Sequence, residues 1–168
     1  RESGSTMRFF VPLALLSGKN TVLDGSRTLL SRPLGVYRDI CREKGLLFSQ
    51  DENSVVVKGP LPAGEYTVPG NISSQFISGL LFALPLADGD SVIKILPPVE
   101  SSPYIELTVR ALSLFGADVR HPDANTLIIK GNSKYIPADV TVEGDWSNAA
   151  FFAALNTLGG SVKINGLD

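Results

Sequence analysis

A single cysteine, a single histidine, a single methionine and a single tryptophan occur in 168 residues, and each scarcity narrows what the chain can do. Cys41 sits in a helix-like segment, closes no internal disulfide and has its only possible histidine partner, His121, far away in sequence, so a Cys–His nucleophile is not expected. Zinc-ligand spacing, a P-loop, a dinucleotide glycine fingerprint, an acidic metal cluster and a Ser/His/Asp arrangement are all missing. Acidic and basic residues are mixed along the chain at a net charge of -2. Without a basic stripe interleaved with aromatics, a nucleic-acid partner is not expected. The longest apolar stretch, Phe76 to Leu86, is interrupted by Ser78, Gly79 and Pro85 and is too short to span a bilayer. No signal peptide is expected, and a reducing, cytoplasmic compartment suits the lone thiol. The chain opens at Arg1 instead of Met and stops at Asp168 directly after an apparent strand, so both ends are expected to be internal to a longer protein.

Hydrophobic residues make up 43%, which suffices for the core of one domain or slightly more. Internal similarity organises them. Tyr66-Thr67-Val68-Pro69-Gly70-Asn71-Ile72-Ser73-Ser74-Gln75-Phe76 runs through an apolar helix into Ser91-Val92-Ile93-Lys94-Ile95. The same order of strand, glycine, polar helix start, small-residue helix and strand returns from Val140 to Ile164. Gly4-Ser5-Thr6-Met7-Arg8-Phe9 resembles the helix start one copy earlier. A second helix type recurs from Pro33 to Gly45 and from Pro103 to Gly116, with proline suited to the first turn and glycine to the C-cap.

The pattern predicts helices over 5–16, 33–44, 72–85, 103–115 and 146–157. Strands are expected over 20–24, 46–49, 54–58, 65–69, 91–96, 117–121, 126–130, 139–143 and 161–165. Two copies of a repeat of about 70 residues fit, with the start of a third. The fold class is therefore α/β (α+β), with repeated units. Residues 76–86 and 149–158 are apolar or small on almost every side and are expected to be buried by outer sheets, whereas 34–44 must show one face to water.

Chemistry can gather at the helix starts. Ser5-Thr6, Ser73-Ser74 and Asp145 with Ser147 each read singly as N-caps. Parallel repeats put those N-termini on one face, where free N–H groups and dipole ends favour an anion such as a phosphate. Gly4 would allow close approach, and Arg32, ahead of Pro33, is either solvated or a carboxylate or phosphate clamp. Arg8 either pairs with an acid such as Asp145 or faces the cleft. Ser101-Ser102-Pro103-Tyr104 reads first as a cap, with Tyr104 packed; Trp146 reads as packing and His121 as surface. No residue stands out as a general acid or base.

Glu2-Ser3-Gly4-Ser5-Thr6-Met7-Arg8-Phe9, Leu30-Ser31-Arg32-Pro33, Gly70-Asn71-Ile72-Ser73-Ser74-Gln75-Phe76, Ser101-Ser102-Pro103-Tyr104-Ile105 and Val142-Glu143-Gly144-Asp145, in that order, resemble the 5-enolpyruvylshikimate-3-phosphate (EPSP) synthase family. The resemblance implies lobes built from βαβαββ units, an inside-out α/β barrel with buried parallel helices and outer sheets. It implies transfer of the enolpyruvyl group of phosphoenolpyruvate to shikimate 3-phosphate, in aromatic amino-acid biosynthesis, with no metal or organic cofactor. Carried over by motif, Ser73, Ser74, Gln75, Ser101 and Tyr104 would meet shikimate 3-phosphate. Gly4, Arg32 and Gln75 would meet phosphoenolpyruvate, with Arg8 and Asp145 supporting them. Residues 1–143 would form two repeats of one lobe and 144–168 the crossover into a second. The catalytic groups would then lie on the remainder of the same enzyme, as a partner this piece needs, and the piece alone would be inactive. Glu-Ser-Gly-Ser departs mildly from the family's commoner Asn-x-Gly-Thr. Two other readings stay open: a non-catalytic binder of a phosphorylated metabolite, or a piece of the sister enolpyruvyl transferase acting on UDP-N-acetylglucosamine. The sister's catalytic Cys loop has no match here.

Overall fold

Alternation of apolar and polar residues decides which way each short strand faces. In the computed structural model, which describes residues 3–167, Val55 and Val57 are fully buried while Lys58 is exposed; Tyr66 with Val68, Ile93 with Ile95 and Leu127 with Ile129 are buried in the same rhythm. The elements run α1 (Gly4–Leu15), β1 (Thr21–Asp24), α2 (Arg27–Leu30), α3 (Gly35–Lys44), β2 (Leu47–Gln50) and β3 (Ser54–Lys58). They continue as β4 (Glu65–Pro69), α4 (Ser74–Ala83), β5 (Ser91–Leu96), α5 (Ser102–Leu114), β6 (Val119–Asp123), β7 (Thr126–Ile129) and α6 (Trp146–Thr157). Two compact bodies result, one reaching to Pro137 and the other beginning at Ala138.

Both sheets lie in the first body. One has the order β1-β3-β2 and is antiparallel throughout. The other has the order β4-β5-β7-β6, in which β4 and β5 are parallel and the remaining pairs antiparallel. A parallel pair requires a crossover, and α4 supplies it. Matching β5, β7 and β6 to β1, β3 and β2 superposes the two orders and the helices between them, so β4–α4–β5–α5–β6–β7 is a complete βαβαββ copy. The repeat read from the sequence is thus present in the backbone, and α/β is the fold class.

Local signals explain the helix limits. Ser73 caps α4 by accepting from the Gln75 amide, and Pro85 turns its end into a 3-10 segment, Leu84–Leu86. Gly45 ends α3 in the left-handed region at φ 68°, and the Leu46 amide closes back on the Cys41 carbonyl at 2.8 Å, as a glycine-terminated helix does. α3 starts two residues beyond Pro33, and α2, which the apolar pattern did not announce, is capped by Ser26. α4 is buried on nearly every side, from Phe76 through Leu81.

Several expectations fail in the second body. Neither 139–143 nor 161–165 forms a strand; a strand needs a neighbour for its backbone groups, and Asn156 instead bonds Val162 through both amide and carbonyl at 2.8 Å. The α6 surface expected to be buried is open. Only Ala149 is covered, while Phe151 is 76% and Leu158 85% exposed. Trp146 is exposed as well. An all-apolar sequence records that a helix needs cover, but the residues of this body do not provide it.

Burial also sets a pH response. Cys41 is fully buried and its thiol is pushed up to about 11, and burial raises the Tyr37 phenol well above its usual range. Both are kept neutral by the fold, so the unfolded chain releases these protons first. The Cys41 contribution is complete below about pH 8.5 and is lost as pH rises to about 11, while the Tyr37 contribution begins to fall only above about pH 10. Urea unfolding across this range is expected to show falling stability, with a flatter profile for Cys41→Ala; identical slopes in the two proteins would contradict the assignment.

Candidate active-site half

α1 and α4 cross so closely that their contact admits only glycine at one point. A Cβ on Gly79 would strike the Tyr37 hydroxyl and lie 2.7 Å from the Arg8 carbonyl. The Tyr37 hydroxyl, reaching in from α3, donates to the carbonyls of Arg8 at 2.7 Å and Phe76 at 3.2 Å. One hydroxyl on α3 thus reaches a carbonyl on α1 and a carbonyl on α4, which ties three helices together.

One turn above this contact, Gln75 joins the two helix starts. Its Nε2 donates to Ser5 Oγ at 2.8 Å, and its Oε1 accepts from Arg8 Nη1 at 2.7 Å. Arg8 also lies over the Phe76 ring, 5.0 Å from its centroid. Its partner is thus an amide and not an acid such as Asp145. Burial first, and the nearby positive charge of Arg32 second, lower its pKa. Arg32 folds over Gly4, where a Cβ would fall on its guanidinium. Its turn is fixed by Gln50, whose Nε2 donates to the carbonyls of Leu30 at 2.6 Å and Arg32 at 3.0 Å. Among the described residues both guanidinium groups, that of Arg8 and that of Arg32 folded over Gly4, are without a carboxylate partner.

The third helix start, that of α5, comes to the same place by a different route. Gly70 receives the loop ahead of α5: its amide donates to Leu96 O and its carbonyl accepts from the Glu100 amide, both at 2.9 Å. A side chain at Gly70 would meet Leu96 O and Pro98 O at 2.9 Å. Ser101 follows at φ 59°, left-handed and non-glycine, and its side chain makes no cap bond. The reading of Ser101 as a cap is therefore corrected. The cap of α1 likewise falls on Ser3, leaving Ser5 to bond Gln75. Asp145 does cap its helix, accepting from Ser147 N and Asn148 N.

These starts enclose a cavity of about 600 Å³ lined on one side by Ser5, Ser73, Ser74, Gln75, Ser101 and Tyr104. Phe9, Phe82, Leu107 and Ala111 form its apolar wall, with the Phe9 and Phe82 rings edge to face at 5.2 Å. Tyr104, expected to be packed, is 59% exposed at this cavity. A hollow of similar size lies between α3 and β4, lined by Gly35 at the start of α3 and by Asp39, Arg42 and Glu43. Ser78 and Thr108, also in the cavity lining, were not singled out from sequence. They lie four residues beyond Ser74 and Tyr104, so helical spacing alone places them on the same faces. His121, read as surface, is half-buried against Glu106 at 2.6 Å.

The EPSP synthase (3-phosphoshikimate 1-carboxyvinyltransferase) family model matches residues 1–168. The chain belongs to the EPSP synthase family. It is 45% identical to the 3-phosphoshikimate 1-carboxyvinyltransferase of Brachyspira hyodysenteriae, over all of this chain and 40% of that protein. It is 47% identical to the one from Clostridium beijerinckii, over 99% of this chain and 39% of that protein. A solved EPSP synthase from Acinetobacter baumannii superposes with a TM-score of 0.71 at 25% identity, over 89% of this chain and 34% of that one. The chain thus spans about 40% of the length of the curated relatives it matches. None of its described helices is long and apolar enough to cross a membrane.

The geometry puts EPSP synthase-like residues under a packing constraint at Gly79. Gly79→Ala is expected to cost roughly 1–3 kcal/mol, the range for overpacking a filled core. Urea unfolding with an unchanged m-value measures it, and wild-type stability would show that α1 and α4 have room to part.

Proposed function

We propose that this chain supplies the shikimate 3-phosphate half-site, and part of the phosphoenolpyruvate site, of an enzyme that transfers the enolpyruvyl group between them. The observation carrying this reading is the convergence of the α1, α4 and α5 starts on one cavity lined by hydroxyl and amide groups. Three helix starts, with Ser73, Ser74 and Ser101 at their edges, suit the phosphate and hydroxyls of a small polyol phosphate. The apolar wall of Phe9 and Phe82 suits the carbon face of its ring. Tyr104 lies at the same lining. Gly4 and Arg32 would take the carboxylate or phosphate of phosphoenolpyruvate, because a guanidinium matches either group with two parallel bonds. Gln75 borders both substrates and Arg8 holds it in place; Asp145 keeps α6 capped, a supporting role in the second body.

The chain's part in the reaction is positional and electrostatic. The substrate hydroxyl must attack the enol carbon of phosphoenolpyruvate, which gains a proton and later loses one as phosphate departs. The cavity lining contains no carboxylate, histidine or lysine to carry those protons. The chain by itself is expected to bind without turnover, a state that shares its chemistry with the phosphometabolite-binder reading. The UDP-N-acetylglucosamine alternative loses support from Cys41, whose buried thiol, held neutral, is no nucleophile.

Titration of isotope-labelled chain with shikimate 3-phosphate is expected to shift the amides of Ser73, Ser74, Gln75 and Ser101 selectively. Ser74→Ala should weaken that binding by roughly 1–2 kcal/mol, the scale of a lost hydrogen bond to a charged group. Arg32→Ala should leave it intact and abolish the response to phosphoenolpyruvate. Selective shifts with UDP-N-acetylglucosamine alone would overturn the reading.

A further inference from the structure

Ser101 lines the candidate cavity in a left-handed conformation that a residue with a Cβ adopts at a cost. Such a conformation persists only where the surroundings impose it. Upstream, the loop is tied to Gly70 by the Glu100 amide. Downstream, the tie is made by two hydroxyls buried between α4 and α5. Thr108 Oγ1 donates to the Tyr104 carbonyl at 2.8 Å, one turn back on its own helix, and lies 2.8 Å from Ser78 Oγ on α4. Thr108 has one hydroxyl proton, and the Tyr104 carbonyl receives it. Ser78 must therefore donate to Thr108, and the chain runs Ser78 to Thr108 to Tyr104 with every hydroxyl proton committed. Ser78 is 4% and Thr108 8% exposed, so neither has a proton to offer a ligand although both border the cavity.

We infer that the Ser78–Thr108 pair is a positioning device for substrate recognition: it fixes the first turn of α5, and with it Ser101 and Tyr104, against Ser73 and Ser74 on α4. This rests on the half-site reading above and adds to it the residues that set its geometry. Apolar burial is non-directional, whereas a two-bond relay through two buried hydroxyls has one register. The i to i−4 back-bond from Thr108 also loosens regular helix geometry at Tyr104, which suits a first turn that must follow a left-handed residue.

The test compares the parent chain with Thr108→Val, which keeps the shape and removes the hydroxyl, with Thr108→Ser, which restores it, and with Ser78→Ala as a second break in the relay. Amide hydrogen exchange without ligand reports the first turn of α5, and titration with shikimate 3-phosphate reports the site. Thr108→Val and Ser78→Ala are expected to speed exchange over residues 102–106 and leave the last turn of α5 unchanged. Both should weaken shikimate 3-phosphate by about tenfold, the scale of one buried hydroxyl left without its partner. Thr108→Ser should recover exchange and affinity together, which mere filling of the core would not achieve. Unchanged first-turn exchange in both broken variants overturns the inference, as does equal loss in Thr108→Val and Thr108→Ser. A parent chain that ignores shikimate 3-phosphate would overturn the half-site reading instead, and the exchange comparison would still decide whether the relay holds the turn.

Discussion

The hydroxyl of Tyr37 occupies the one place where α1, α3 and α4 meet, and the rest of the site depends on it. It donates to the carbonyls of Arg8, whose helical partner would be the N–H that Pro12 lacks, and of Phe76, and it fits only because residue 79 has no side chain. With α1 and α4 drawn to that distance, Gln75 can reach Ser5 and Arg8 at once. A crossing wider by the width of a methyl group would break both bonds. The polar bridge at the helix starts therefore depends on the close helix crossing one turn below.

From this crossing the charge distribution follows. Arg8 spends its guanidinium on an amide and an aromatic face, and Arg32 bends over Gly4. Neither is neutralised by a described carboxylate, so positive potential collects where the helix dipoles already favour an anion. Hydroxyls supply the remaining contacts. Among the described residues that line the cavity there is no carboxylate, histidine or lysine.

Much of this was legible from sequence because the repeat is physical. The glycine and serine pattern at 70–74, the apolar run after it and the alternating strands at 54–58 and 126–129 each obey local rules, and the backbone follows them. Ser73 as a cap needed only local chemistry. Arg8 did not, because its partner lies 67 positions away on another helix. Ser101 defied its local pattern, since the loop tied to Gly70 overrides the capping preference. The strands expected at 139–143 and 161–165 failed because sheet pairing is a property of neighbours, not of a segment. Ser78 and Thr108 were hidden by being small and ordinary, though their four-residue spacing from Ser74 and Tyr104 was open to view.

Gln75 couples α1 to α4 through Ser5 and Arg8, and a double-mutant cycle on Arg8→Met and Gln75→Met measures that coupling directly. Unfolding free energies of the parent, the two single variants and the double variant in urea give the interaction term. The account predicts a coupling of about 0.5–3 kcal/mol, as for residues sharing one hydrogen-bond network. Strict additivity would mean that the two helix starts are placed independently and that the bridge is incidental to the site.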